Sequence, residues 1–115
     1  MRVVRKTPDG KTVILDTSTD ECLYRAARNP PNTGTAFTTG RDLYRHVSKS
    51  GKAYYYIYGW SMWAGDSPYI ELISDEEAKE FLLQKAASAS PYVKLSEDEW
   101  KRAEELFPGI FDENA

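Results

Sequence analysis

The sequence predicts a small α+β domain in which the strands come first and the helices last. Two observations in the chain carry that reading. The first sixty residues hold two β-branched or aromatic runs folded about short polar turns, each turn ending in a glycine followed by a lysine. The last forty-five hold two Ser-x-x-Glu signatures, Ser74 with Glu77 and Ser96 with Glu99, each opening an amphipathic stretch. With 115 residues and 41% hydrophobic content, the chain has the length of one domain, 1–115, and enough apolar side chains for a core without staples. The expected architecture is a small, mainly antiparallel sheet of two β-hairpins plus one strand, packed by the C-terminal helices.

Residues 1–15 read as the first hairpin. "RVVRK" and "KTVIL" flank Pro8-Asp9-Gly10, which suits a tight turn with glycine in the left-handed region. "STDECLYRAAR", Ser18 to Arg28, carries a capping-box pattern of Ser18 with Glu21 and is read as a short helix, although "ECLYRA" resembles the strand-like "RDLYRH" twenty residues later. Residues 29–40, "NPPNTGTAFTTG", are dense in Pro, Gly, Thr and Asn and form a loop, long enough to be lid-like or locally mobile. Residues 42–60 make the second hairpin around Lys49-Ser50-Gly51, and "YIELIS" is a further strand. Helices follow over 75–87, with Ala78, Phe81, Leu82 and Ala86 on one face, and over 97–107, with Trp100, Ala103, Leu106 and Phe107 as a stripe ended by Pro108-Gly109.

The second hairpin contains "AYYYIYGWSMW", in which six of eleven residues are aromatic. Strand periodicity puts Tyr54, Tyr56, Tyr58 and Trp60 on one face and Tyr55, Ile57 and Gly59 on the other. Register decides which face is which. A three-residue loop with Gly51 at a bulge pairs Ser48 with Lys52, sets Leu43, Val47, Tyr55 and Ile57 together, and leaves Tyr44, His46, Tyr54, Tyr56, Tyr58 and Trp60 opposite. A two-residue loop would pair Lys49 with Lys52 and join Leu43 and Val47 to the tyrosines. The first register is preferred, because Gly51 sits where a type I turn plus bulge needs it and the first hairpin has the same pattern. It produces an aromatic face that is either packing or a surface for a partner.

Charge is uneven. Residues 1–53 carry +5 and residues 54–115 carry −8, for a net −3. The two halves form opposite surfaces or, more simply, the acids open helices. "MRVVRKTPDG" has no apolar run behind its basic residues, so it does not read as a signal peptide. Nothing approaches the roughly 18 apolar residues of a membrane span. One cysteine, Cys22, fits a reducing compartment, and a cytoplasmic chain is expected.

From "VILDTSTDECLY" through "DLYRHVSKSGKAYYYIYGWSMW" to "IELISDEEAKEFL", the chain resembles a loose group of small bacterial, archaeal and mobile-element proteins. That group shares a DTxTAE-like segment, an LYR segment with a following glycine and aromatic strand, and an LSEEEA-like helix start. Asp16-Thr17, Thr19-Asp20-Glu21, Leu43-Tyr44-Arg45, Gly51, Tyr55-Tyr56 and Ser74 to Ala78 occupy the matching places, within about residues 13–83. Asp20 stands where the pattern has Ala, and a long insert precedes the second motif. The resemblance implies a shared small fold and a mobile-element setting, and brings no activity.

Chemistry-bearing patterns are sparse. His46 is the single histidine, and with Cys22 far away in sequence it makes no zinc-spaced ligand set. Cys22 with His46 as a nucleophile pair lacks a local motif. The seven glycines sit singly, with no phosphate-binding loop. No catalytic residue, metal or cofactor is assigned, and the chain is not expected to be an enzyme. The expected function is a small non-catalytic interaction protein, an inhibitor or regulator of mobile-element type. It would bind a protein partner through the aromatic hairpin and the Trp60–Asp66 loop, with Tyr44, Tyr54, Tyr56, Tyr58, Trp60, Met62, Trp63, Arg45 and Lys52 as its contact residues. Its acidic half would suit a basic target. The alternative is single-stranded nucleic-acid binding by Tyr54, Tyr56, Tyr58 and Trp60 with Arg41, Arg45 and Lys52, which the net acidity disfavours. An exposed aromatic patch would also suit a homodimer.

Overall fold

Two turns of the same design start the fold. In the computed structural model, which describes residues 1–29 and 36–112, the Gly10 N–H donates to Thr7 O and the Thr7 N–H to Lys11 O. Gly51 and Ser48 repeat the arrangement with Ser48 O and Lys52 O. Gly10 and Gly51 have φ of 82° and 87°, the left-handed conformation that closes a three-residue loop with a bulge. The first turn joins β1 (Arg2–Lys6) to β2 (Thr12–Asp16), and the second joins β4 (Thr39–Val47) to β5 (Ala53–Ser61). Val47 therefore lies opposite Ala53 and Tyr44 opposite Tyr56, the register that places Leu43 and Ile57 on one face.

The strands form two antiparallel sheets rather than one. β1 and β2 pair only with each other, while β3 (Glu21–Tyr24), β4, β5 and β6 (Tyr69–Ile73) form a four-stranded sheet in that order. Helices α1 (Asp75–Ala87) and α2 (Glu97–Leu106) follow, and both expected capping boxes are formed, at Ser74/Glu77 and Ser96/Glu99. The second helix ends one residue before the expected limit, with Phe107 as its cap.

The short helix expected over 18–28 is not there; residues 21–24 are strand β3. Glu21 lies opposite Arg45 and Cys22 opposite Tyr44, so the two look-alike segments are partners in the sheet. The reason is local competition. Ser18 gives its hydroxyl and amide hydrogens to Asp16 Oδ1, at 2.6 and 3.0 Å, instead of accepting from Glu21, and Thr19 and Asp20 N–H close a turn on Asp16 O. That turn reverses the chain onto the free edge of β4. The Ser18 bonds, followed by Arg2, hold the Asp16 carboxyl at about 2, below the usual carboxylate range.

The expected 29–40 loop is only partly visible, because residues 30–35 lie outside the described residues. The Asn29 N–H donates to Phe37 O, and Thr39-Gly40 already belong to β4.

The four-stranded sheet is covered on both faces. On one, Leu43, Tyr55 and Ile57 pack with Leu23 and Tyr24 against Ala78, Phe81 and Leu82 of α1 and Ala103 of α2. On the other, Tyr44, Tyr54, Tyr56 and Ile70 pack against Val13 and Leu15 of the β1–β2 hairpin. The hairpin alternates as a half-buried strand should: Val13 and Leu15 point in, while Ile14 points out.

Replacing the fully buried Leu15 by Ala is expected to destabilise the fold by about 2–5 kcal/mol. The neighbouring exposed Ile14→Ala change should stay within about 0.5 kcal/mol. Urea unfolding of both variants checks this, and equal effects would mean that the hairpin does not cover the tyrosine face.

Candidate functional site

Of the two expectations for the tyrosine row, packing or a surface for a partner, the structure shows packing for most of it. Tyr44, Tyr54 and Tyr56 are buried and Tyr58 is half-buried, because the β1–β2 hairpin lies over them. Tyr44 and Tyr56 stack on each other at 5.3 Å between centroids. The hydroxyls have partners at the layer's edge: Tyr56 donates to Asp20 Oδ2 at 2.8 Å and Tyr54 to Asp9 at 3.2 Å. His46 shares Asp20 through its Nδ1, 2.8 Å from Oδ1. Tyr44, Tyr54 and Tyr56 are thereby shut off from a base.

Arg45 and Lys52 are also engaged. Arg45 lies 3.7 Å from Glu21, and Lys52 reaches Asp9 at 3.0 Å with its ammonium 5.2 Å from the Tyr54 ring. Lys52 thus ties the tip of the first hairpin to the second, and is not poised for phosphate.

The two tryptophans of "GWSMW" have opposite fates. Trp60 is buried beside Gly40, its Nε1 donating to Asp42 Oδ1 at 3.0 Å, with the Arg28 guanidinium 4.2 Å from its ring centroid. Arg28 also bonds Asp42 at 2.5 Å, and the Ala26 N–H donates to the same carboxylate at 2.9 Å. Asp42 is fully buried, and these three donors make its charge tolerable there. Trp63 and Met62, by contrast, are 51% and 45% exposed. The loop holding them is ordered by its own bonds: Trp63 Nε1 to Thr38 Oγ1 at 2.9 Å, Met62 N–H to Thr38 O at 2.8 Å, and Ser61 Oγ to Asp66 at 2.7 Å. The expected nine-residue surface therefore reduces to two residues that present apolar side chains to solvent.

Beside that loop lies a cleft of about 710 Å³, lined by residues of β4, β5 and α1. Arg41 and Gly59 form its floor, and Tyr24, Phe37, Tyr69, Lys85 and Tyr92 stand around it, with Ser61, Asp66 and Ser67 at the loop side. The Tyr69 ring lies against Gly59, where a Cβ would collide with it. Tyr92, 65% exposed, leans on Phe37 with centroids 5.2 Å apart. Lys85 is held over two rings, its Nζ 5.3 Å from the centroid of Tyr24 and 5.0 Å from that of Phe81. Burial lowers its ammonium pKa, and Arg41 lowers it further.

Sequence reasoning missed Arg28, Asp42, Tyr69, Lys85 and Tyr92. Only Asp42 carried a signal, as a carboxylate in the row otherwise occupied by rings. The cleft exists because segments distant in sequence meet.

Cys22 and His46 are held by different partners. Cys22 Sγ donates to Tyr24 O at 3.4 Å while His46 bonds Asp20. Burial, then Asp42, raises the Cys22 pKa and disfavours the thiolate. Among the described residues no three His, Cys, Asp or Glu side chains gather as a metal site, and no helix is long and apolar enough to cross a membrane.

Burial of the tyrosines has a titration signature. Burial, followed by Cys22, pushes the Tyr44 hydroxyl up to about 12. Burial also raises Tyr24, with Glu99 adding to it, and raises Tyr56 further, with the Asp20 bond adding to it. Folded values above the unfolded value near 10 mean that this stability is complete below about pH 10 and is lost as pH rises through the folded values. In an absorbance titration at 295 nm, these three of the eight tyrosines should ionise only as the circular dichroism of the fold is lost. Ionisation of all eight near pH 10 with the fold intact would contradict the buried placement.

Comparison of the chain with protein-family models, with curated proteins and with solved structures finds no match.

Proposed function

We propose that this chain is a non-catalytic interaction protein that binds a protein partner through the Met62–Asp66 loop and the rim of the adjoining cleft. One observation carries the reading: Met62 and Trp63 are exposed on the loop whose Gly65 and Asp66 line the cleft, and the exposed Tyr69 and Tyr92 line that same cleft, while most other rings are packed away. Exposed apolar groups collected in one place mark interaction surfaces, and tryptophan and tyrosine are over-represented among the residues that dominate binding energy. Trp63 is pre-positioned by its bond to Thr38, which lowers the ordering cost of using it as an anchor.

Charge narrows the partner. Residues 75–112, which carry both helices, have a net charge of −5. A partner with a basic face complements that layer, in keeping with an inhibitor or regulator of a nucleic-acid-handling protein and with the mobile-element setting implied by the motif resemblance. Single-strand binding along Tyr54, Tyr56 and Tyr58 is not retained, since those rings lie beneath the first hairpin or at its edge.

A photo-crosslinking phenylalanine analogue placed at position 63 should yield a discrete protein adduct in the native cells. The same analogue at position 14, on the outer face of the hairpin, should not. Adducts at neither position, equal adducts at both, or a nuclease-sensitive adduct at 63 would overturn the assignment of a protein partner.

A further inference from the structure

The cleft has a chemistry that a protein-docking loop does not require. Arg41 and Lys85 both lie over one ring, with the Arg41 guanidinium carbon 5.9 Å and the Lys85 Nζ 5.0 Å from the Phe81 centroid, and both line the cavity. Two cations on one ring repel each other, and among the described residues Lys85 has no carboxylate partner. Arg41 has one, Glu71 at 3.6 Å, but both side chains are more than half exposed and water screens the pair. Asp66 also lines the cleft, where it accepts from Ser61, so the lining is left with about one unit of positive charge, on the side of Arg41 and Lys85. A phosphate monoester has three acceptor oxygens, enough to meet both cations at once, and carries about −1.5 to −2 at neutral pH. Tyr69 and Tyr92 line the same cleft and are exposed, so both offer ring surface to a ligand there. A volume of about 710 Å³ is in the range of small-ligand sites.

We infer that this cleft binds a nucleoside monophosphate, with the phosphate between Arg41 and Lys85 and the base against Tyr69 and Tyr92. Stacking on aromatic side chains tolerates any base, so the site reads the phosphate and a flat ring rather than a sequence. The same group is available as a free nucleotide or as the phosphorylated end of a single strand. The inference stands on the cation pair and the walls of the cleft, and does not depend on a protein partner at Met62 and Trp63.

Calorimetric titration of the intact protein with TMP, thymidine and a 5′-phosphorylated hexathymidylate tests it at low salt. TMP should bind at least tenfold more tightly than thymidine. Lys85→Met, which keeps an apolar chain over Tyr24 and Phe81, and Arg41→Gln should each remove most of that difference, with melting curves confirming that both variants fold. Tyr92→Ala should weaken TMP and thymidine alike. Met62→Ser with Trp63→Ser should leave TMP binding unchanged, which separates this site from the protein-binding loop. Hexathymidylate binding tenfold tighter than TMP identifies a strand end as the source, and equal binding identifies the free nucleotide. No binding of TMP at millimolar concentration, equal affinity for TMP and thymidine, or full TMP affinity in both charge variants would overturn the inference.

Discussion

The pairing of Ser48 with Lys52 across the Gly51 turn is the constraint from which the rest of the molecule follows. With Gly51 at φ 87°, the bulged three-residue turn sends Leu43, Tyr55 and Ile57 toward one side of the sheet and Tyr44, Tyr54, Tyr56 and Trp60 toward the other. A slip of one residue along β5 would reverse that assignment for the whole strand. It would also break the cross-strand stack of Tyr44 on Tyr56. The register creates two different buried faces, and each then needs its own cover. The helices cover the aliphatic one and the N-terminal hairpin covers the aromatic one.

Tyrosine suits the second cover because its body is apolar and its hydroxyl reaches the boundary. An isolated two-stranded hairpin is marginal in water, so β1–β2 gains its stability from Val13 and Leu15 on the rings. Polar ties at the edges fix its position: Asp9 takes bonds from Thr7, Tyr54 and Lys52, and Asp20 takes them from Tyr56 and the Asp16 amide while meeting His46. Bonding to the ionised carboxyl, first from Thr7 and then from Lys52, holds Asp9 well below its ordinary value. At the far end of the sheet, beyond the hairpin, Trp60 is covered instead by Arg28 and the buried Asp42. Gly40, Arg41, Gly59 and Ser61 on this part of the sheet line the cleft, next to the Trp63 loop.

Local rules were enough for much of this. The paired turns, both capping boxes and the β4–β5 register are readable because each depends on a few adjacent residues: a glycine at a required φ, or a serine three residues before a glutamate. The 18–28 segment failed because Ser18 satisfied two templates, and Asp16, outside the capping-box pattern, captured its hydroxyl. The fate of the tyrosines was not readable because periodicity says which side chains share a face, but not whether a hairpin forty residues earlier folds over them. Trp60 and Trp63 illustrate the limit. Three residues apart in one loop-like motif, they separate because Trp60 still lies on the strand and meets Asp42, while Trp63 lies past its end.

The central claim is that the aromatic strand is interior and that the binding surface begins where the strand ends. Tryptophan emission with iodide quenching tests it in a Trp100→Phe background, with and without Trp63→Phe. The account predicts blue-shifted, unquenched emission from Trp60 alone, and that the emission lost with Trp63 is red-shifted and strongly quenched. Quenchable emission from Trp60, or a shielded Trp63, would contradict it.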